Sequence, residues 1–199
     1  MVTPDDERTY WDAVALDPER VRAELYSDLD LDECLDAVLI GLEHIMEPQA
    51  SIMELGCGVG RLLLAFAQRY LKTWFLGIDS SKAMVESIDN PENVAVFQND
   101  GRSLEPWTAS AFDGIYSMTM FQHIPNTAKR SYLAEAFRVL KRGGLLRLQW
   151  SVAGEPGPLS HPTSYESMLR WLDQEGFSVE GSQRNLIKPG WAWVTAMKP

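Results

Sequence analysis

The run Glu54-Leu55-Gly56-Cys57-Gly58-Val59-Gly60 is the part of this 199-residue chain best suited to hold a small molecule. Glycine permits a tight turn and lets a ligand approach the backbone where a Cβ would otherwise stand. A short apolar run, Ser51 to Leu55, precedes it, and a helical pattern from about Arg61 to Tyr70 follows. Strand, glycine loop and helix in that order are the setting such a loop needs. The third glycine comes two residues after the second, not three, a departure from the dinucleotide fingerprint. There is then less reason to expect a pyrophosphate on the helix N-terminus.

Other candidates are acids and histidines at the ends of apolar runs. Asp79 closes the run Thr73 to Ile78, and lies 23 positions after Gly56. A carboxylate offers only acceptors, which suits a vicinal diol. An aspartate there also fits a helix N-cap, but its distance from Gly56 favours the diol role. Asp100 before Gly101 is compatible with plain turn chemistry and with ligand contact. His123 can take a proton near neutral pH and is the candidate base; packing beside the ligand is the alternative. His161 falls in a Gly/Pro/Ser-rich loop, Val152 to Pro162, and His44 in a helical pattern. Cys57 reads as a small residue in a crowded loop near a helix N-terminus.

The Glu-x-Gly-x-Gly-x-Gly loop resembles motif I of class I S-adenosylmethionine-dependent methyltransferases. Gly77-Ile78-Asp79-Ser80-Ser81 resembles the end of that family's second strand, Asn99-Asp100-Gly101 the loop after its third, and Phe112 to Ser117 with Phe121 to Pro125 its strand-four region. Leu140-Lys141-Arg142-Gly143-Gly144 resembles the turn into strand five. The resemblance covers roughly residues 50–150 and implies S-adenosyl-L-methionine as cofactor. It implies that Asp79 accepts from both ribose hydroxyls and Asp100 from the adenine amino group. Glu54, Gly56, Cys57, Gly58, Gly60, Ser80, Gly101 and Ser117 complete the implied cofactor set. In many relatives an N-terminal helix covers the site, which brings Tyr10 and Trp11 into the set as a lid; core packing is their alternative role.

These residues need a scaffold. Strand-like runs alternate with helical patterns, the signature of a doubly wound α/β sheet. Seven strands are expected: Ser51–Leu55, Thr73–Ile78, Val94–Phe97, Phe112–Met118, Leu145–Trp150, Phe177–Gln183 and Trp191–Met197, mostly parallel, with helices on both faces. A helix is expected over 5–26 and another after Ser27, where Leu31, Leu35, Val38, Leu39 and Leu42 share a face. Ser80 or Ser81 caps the helix holding Met84 and Val85. The helix from Asn126 or Thr127 is expected to end at Gly143-Gly144, and one carrying Tyr165 and Leu172 at Gly176. Trp150, at a strand's carboxyl end, is a candidate wall of the acceptor pocket. Trp191 and Trp193 should share one strand face. A single domain over 1–199 is expected, with a helical cap in 1–45 and the cofactor core in 50–150.

Composition narrows the class. The net charge is −10 and the pI near 4.8. An acidic surface repels phosphate and anionic lipid, so no nucleic-acid or membrane partner is expected. Two cysteines argue against a disulfide framework or a zinc site, and no metal is expected. The acidic start, Met1 to Asp6, is unlike a secretory signal, and no apolar run spans a bilayer. A reduced, cytoplasmic setting fits. The reading is an enzyme that methylates an oxygen or nitrogen of a small molecule, with oligomeric state open. Its rivals are a non-catalytic S-adenosylmethionine-binding module and an NAD-dependent oxidoreductase. The second is disfavoured by the glycine spacing. DNA amine methylation is disfavoured because Phe121-Gln122-His123-Ile124-Pro125 stands where that group has Asp/Asn-Pro-Pro-Tyr.

Overall fold

The structure, a computed structural model, describes residues 4–26, 29–154 and 159–199. The start of the acidic N-terminus, the helix entry at Ser27 and the middle of the Val152–Pro162 loop lie outside the described residues. Seven strands form one sheet: β1 (Ser51–Leu55), β2 (Trp74–Asp79), β3 (Val94–Gln98), β4 (Phe112–Ser117), β5 (Leu140–Ser151), β6 (Ser178–Arg184) and β7 (Trp191–Met197). Their order is β3-β2-β1-β4-β5-β7-β6. β1 to β5 run parallel, and β7 is antiparallel to both β5 and β6. This is the doubly wound α/β sheet expected. Strand order reverses at β1/β4, the place where such sheets open a crevice at their carboxyl ends.

The helices are α1 (Pro4–Ala15), α2 (Pro18–Val21), α3 (Leu31–Leu39), α4 (Arg61–Arg69), α5 (Lys82–Glu86), α6 (Asn126–Val139) and α7 (Tyr165–Glu175). Leu35, Val38, Leu63 and Phe66 of α3 and α4 pack on one face of the sheet, with Ile52, Phe75, Trp191 and Trp193. Leu133, Ala136, Met168 and Leu172 of α6 and α7 pack on the other, with Met53, Ile78, Leu148 and Trp150. Period-two alternation along each strand supplies both faces at once. Trp191 and Trp193 do share a face.

Three expectations are corrected. The helix over 5–26 is broken: α1 ends at Ala15, α2 starts at Pro18, and a π-helical turn covers Arg22–Tyr26. Asp17 accepts from the N–H groups of Glu19 and Arg20, and Pro18 has no N–H to continue a helix. The helix before β5 ends at Val139, not at Gly143-Gly144. Leu140 turns extended and pairs with Phe112, and the glycines sit in an irregularity before Gly114 pairs with Leu145. Sheet pairing takes the chain before the left-handed glycine is reached, and Gly143, at φ 76°, serves the strand. Trp150 faces α7, not the crevice: its indole N–H donates to the Thr163 carbonyl and its ring stacks on Tyr165. Alternation places it with Leu146 and Leu148.

Two buried cations lock peripheral segments to this frame. Arg147 of β5 donates to the Ala37 carbonyl and lies 4.7 Å from the Trp193 ring centroid, tying α3 to the sheet. Burial holds its pKa down to about 10. Lys129 of α6 donates to the His161 carbonyl, Thr163 Oγ1 and Asn126 Oδ1. That fixes the segment after residue 158 against the crevice, and burial lowers the ammonium pKa to about 8.

Candidate functional site

The crevice begins with the glycine loop. Gly56 N–H and Cys57 N–H both donate to the Ile78 carbonyl, so the loop is anchored on the end of β2. Gly56 and Gly58 sit at φ 71° and 53°, which disfavours a side chain at either. A Cβ on Gly56 would lie 2.6 Å from Met120 Cβ. The loop therefore presents bare backbone to the space above it.

Asp79 is the next fixed point. Its Oδ2 accepts from Gly58 N–H and its Oδ1 from Ser81 N–H, each at 2.9 Å. It is not the helix cap: Ser81 is, accepting from Met84 N–H. Burial pushes the Asp79 carboxyl up, opposed by the N–H groups of Ser81, Gly58 and Ser80. A carboxylate has about four acceptor positions. Backbone N–H groups take two or three of them, which leaves acceptor capacity on the cavity side.

Above these loops lies a cavity of about 450 Å3, whose strand-end wall includes Gly56, Gly58, Asp79, Ser80, Asn99 and Gly101. Its opposite wall is the N-terminal segment, with Glu7, Trp11, Ala23, Glu24, Leu25 and Leu29. Thr119, Gln122, His123, Lys188 and Trp191 close a third side. The size falls in the usual range for small-molecule sites.

The N-terminal wall is held by specific contacts. Asp12 Oδ1 accepts from Ser81 Oγ at 2.6 Å and Ala83 N–H at 3.2 Å, which fastens α1 to the start of α5. Trp11 meets His123 edge-on with ring centroids 5.2 Å apart. Arg61 donates to the Leu29 carbonyl. Tyr10 points elsewhere: its hydroxyl donates to Glu24 Oε2 at 2.6 Å, with the Arg20 guanidinium over its ring.

His123 lines the cavity, and both ring nitrogens are engaged. Nδ1 lies 2.8 Å from the Leu159 carbonyl, which can only accept, so Nδ1 carries a proton there. Nε2 lies 3.2 Å from Gln122 Nε2. Gln122 Oε1 accepts from Gln149 Nε2, and Gln149 Oε1 from Thr119 N–H. The amides thus hand one donor direction along the chain, and His123 Nε2 is its acceptor.

Several expected residues do not line the cavity. Glu54 is buried on the α4 side, where Tyr116 donates to its Oε2 at 3.0 Å, and burial raises its pKa to about 8. Alternation from Leu55 turns it away from the crevice. Cys57 packs toward Gly77, and burial pushes its thiol well up. Gly60 is the left-handed N-cap of α4. Ser117 donates to the Leu55 carbonyl, stitching β4 to β1. Asp100 turns into its own loop, accepting from Arg102 N–H, Ser103 N–H and Ser103 Oγ. Glu7, Asn99, Tyr132, Lys188 and Trp191 were not anticipated. Glu7 was discoverable, since it shares the Trp11 and Val14 face at i, i+4, i+7. Lys188 and Trp191 reach the crevice from the far side of the sheet, which no local pattern encodes.

Comparison with known proteins follows the same lines. Residues 52–144 match the family described as a methyltransferase domain. The chain is 33% identical over 104 residues, 51% of its length, to trans-aconitate 2-methyltransferase of Deinococcus radiodurans, and that segment is 38% of the relative. The chain thus matches about two fifths of the length of the curated relatives it resembles. Magnesium protoporphyrin IX methyltransferase from Synechocystis PCC 6803, solved with bound SAH, shares the fold with a TM-score of 0.78 at 16% identity, over 99% of this chain and 100% of that one. The cyclase SpnF shares it with a TM-score of 0.72 at 20% identity, over 84% of this chain and 80% of that one. The fold is that of the Rossmann-like methyltransferases. The segment 52–144, just under half of the chain, thus matches a methyltransferase domain, and the shared fold is that of S-adenosylmethionine-dependent methyltransferases. Among the described residues no helix is long and apolar enough to cross a membrane.

Proposed function

We propose that the chain moves a methyl group from S-adenosylmethionine to an oxygen or nitrogen of a small-molecule acceptor. The observation that carries this is the continuity of one cavity past the strand-end loops into the wall of Thr119, Gln122, His123, Lys188 and Trp191. A module that only binds cofactor needs no such second wall. The residues fit the cofactor: Asp79 retains acceptor capacity for the ribose hydroxyls, and the bare backbone at Gly56 and Gly58 fits the aminoacyl chain.

The cofactor brings its own electrophile and leaving group. What this chain's residues do is bind, orient and exclude water. Holding the acceptor in line at about 3 Å is worth several kcal/mol. Trp11, edge-on to His123, covers part of the cavity, and excluding water there strengthens polar contacts inside. With Nδ1 committed to Leu159 and Nε2 facing Gln122, His123 orients the Trp11 lid and the Gln122 amide in our reading, and leaves proton removal to the acceptor's own chemistry.

The curated relative's name points to a polycarboxylate acceptor. The charged groups on this cavity wall are Glu7, Glu24 and Asp79 against Lys188. A single lysine on the acceptor side does not balance several carboxylates, so we assign a neutral acceptor. A panel of small acceptors with detection of S-adenosylhomocysteine release tests this. Turnover confined to hydroxyl- or amine-bearing neutral compounds supports it; turnover only with polycarboxylates, or none across the panel, refutes it.

A further inference from the structure

The hydrogen bonds through Gln149, Gln122 and His123 run in single file, and both ends of the file are backbone. Thr119 N–H donates to Gln149 Oε1 at 2.7 Å, and Gln149 Nε2 donates to Gln122 Oε1 at 3.1 Å. Gln122 Nε2 lies 3.2 Å from His123 Nε2, and His123 Nδ1 lies 2.8 Å from the Leu159 carbonyl. A backbone N–H can only donate, and a carbonyl can only accept. Counted from either end, the same direction is forced on both amides and on the ring. His123 carries its proton on Nδ1, and Nε2 accepts.

This order has a consequence for charge. A second proton on the ring would go to Nε2, where it meets the N–H of Gln122. Turning the Gln122 amide moves the conflict to Gln149. Turning Gln149 moves it to the Thr119 N–H, which is fixed in the chain. An imidazolium therefore leaves two donors opposed somewhere along the file. The place is buried, since Gln149 is wholly covered and Gln122 is only 5% exposed. Buried donors without acceptors cost free energy. The donor end is itself held: Thr119 sits at φ 63°, a conformation rare for a β-branched residue, with its hydroxyl on the Met118 carbonyl.

We propose that Gln149, which does not itself line the cavity, is a positioning residue that acts through Gln122 to keep His123 uncharged in the wall of a site for a cationic cofactor. The proposal rests on the methyl-transfer reading for the identity of that cofactor. S-adenosylmethionine carries a positive sulfonium, and an imidazolium on the same cavity would repel it. S-adenosylhomocysteine has a neutral sulfur there and lacks that repulsion.

Heteronuclear NMR of the imidazole nitrogens, with calorimetry of the two ligands, tests it. In the wild-type protein at neutral pH, His123 should show a protonated Nδ1 and a bare Nε2. Gln149→Met keeps the bulk and removes both hydrogen bonds, so Gln122 is free to turn its carbonyl to Nε2. The His123 titration midpoint should then rise by about one pH unit or more. The ionisable groups around the ring are Glu7, Glu24, Asp79 and Lys188 on the cavity wall, with Lys129 and His161 at the segment after residue 158. All are the same in wild type and variant, so the shift reports the amides. At a pH between the two midpoints, the variant's affinity for S-adenosylmethionine relative to S-adenosylhomocysteine should fall by about threefold or more. The ratio should recover above both midpoints. Lost packing alone would weaken both ligands alike at every pH and leave the midpoint in place. Gln122→Met should raise the midpoint as well, and it decides the matter if Gln149→Met does not fold. The proposal is overturned by an Nε2–H tautomer or an imidazolium in the wild type at neutral pH, by an unmoved midpoint in the folded variant, or by a ligand ratio that ignores the shift. Failure of both ligands to bind overturns the cofactor reading, while the NMR measurement still decides the role of Gln149.

Discussion

The two long walls of the cavity are built on different principles. The strand-end wall is backbone and one carboxylate, each fixed by the sheet: Gly56 and Cys57 hang from Ile78, and Asp79 holds Gly58 and Ser81. The N-terminal wall is side chains, Glu7, Trp11, Leu25 and Leu29, on segments fastened through Asp12, Trp11 and the Leu29 carbonyl. A wall embedded in a parallel sheet opens only with global unfolding, whereas one held by a few contacts opens locally at lower free energy. In our proposal the first wall sets where the cofactor binds, and the second sets when the site is closed.

The largest expected effect falls on the first wall. Asp79→Ala removes a charged acceptor from the proposed ribose position, where hydrogen bonds to charged groups contribute about 1.5–3 kcal/mol. Affinity for S-adenosylhomocysteine should drop by about tenfold to a hundredfold by calorimetry, with the protein still folded by circular dichroism. Unchanged affinity would move the ribose off Asp79 and break the contrast between the walls.

Glu54 sharpens the contrast from beneath the same wall. Folded, it stays protonated to about pH 8; unfolded, it ionises near its ordinary 4.5. A raised carboxyl pKa contributes stability that is complete below 4.5 and is lost as pH rises through 8. Glu54→Gln should therefore flatten the pH dependence of chemical unfolding between pH 5 and 8, by on the order of a few kcal/mol. Affinity for S-adenosylhomocysteine should hold within about twofold, roughly 0.4 kcal/mol. An unaltered pH profile would show that Glu54 is already ionised in the fold.

What was legible in the sequence divides along the same line. Gly56, Asp79 and the β1-loop-α4 order follow from local periodicity and turn chemistry, so they could be placed without coordinates. Trp150 could not, because one residue of register decides which face a strand side chain takes. Asp100 could not, because an aspartate's own loop competes for its oxygens. Lys188 and Trp191 enter through a β7 inserted between β5 and β6, a pairing no local pattern encodes. Glu7 was visible as an acid on an apolar helix face, a signal that means little until that face is known to cover a cavity.

The fastening of the second wall predicts a smaller effect. Asp12→Ala removes two hydrogen bonds between α1 and the start of α5. Limited proteolysis within residues 4–26 should accelerate by about tenfold without cofactor, the equivalent of about 1.4 kcal/mol of easier opening. S-adenosylhomocysteine should slow cleavage in wild type and variant alike, because ordering the wall is part of binding. Cleavage that ignores both the substitution and the ligand would mean that α1 is as firmly built as the strand-end wall.

The smallest effect is expected at Tyr10, the aromatic neighbour of Trp11. The two share a helix but face different work: Trp11 lines the cavity, while the Tyr10 hydroxyl spends itself on Glu24 within the N-terminal wall. Tyr10→Phe keeps the ring under the Arg20 guanidinium and its edge contact with Trp11, and deletes only that one partly exposed hydrogen bond. Such a bond contributes about 0.5–1.5 kcal/mol at most. In a chain this long that corresponds to a fall in melting temperature of about 2–4 °C per kcal/mol, and affinity for S-adenosylhomocysteine should not change. Trp11→Ala, which opens the cavity beside His123, should weaken that affinity measurably in the same assay. Equal losses from the two substitutions would show that the N-terminal wall acts as one body, whose integrity matters more than which of its side chains reach the ligand.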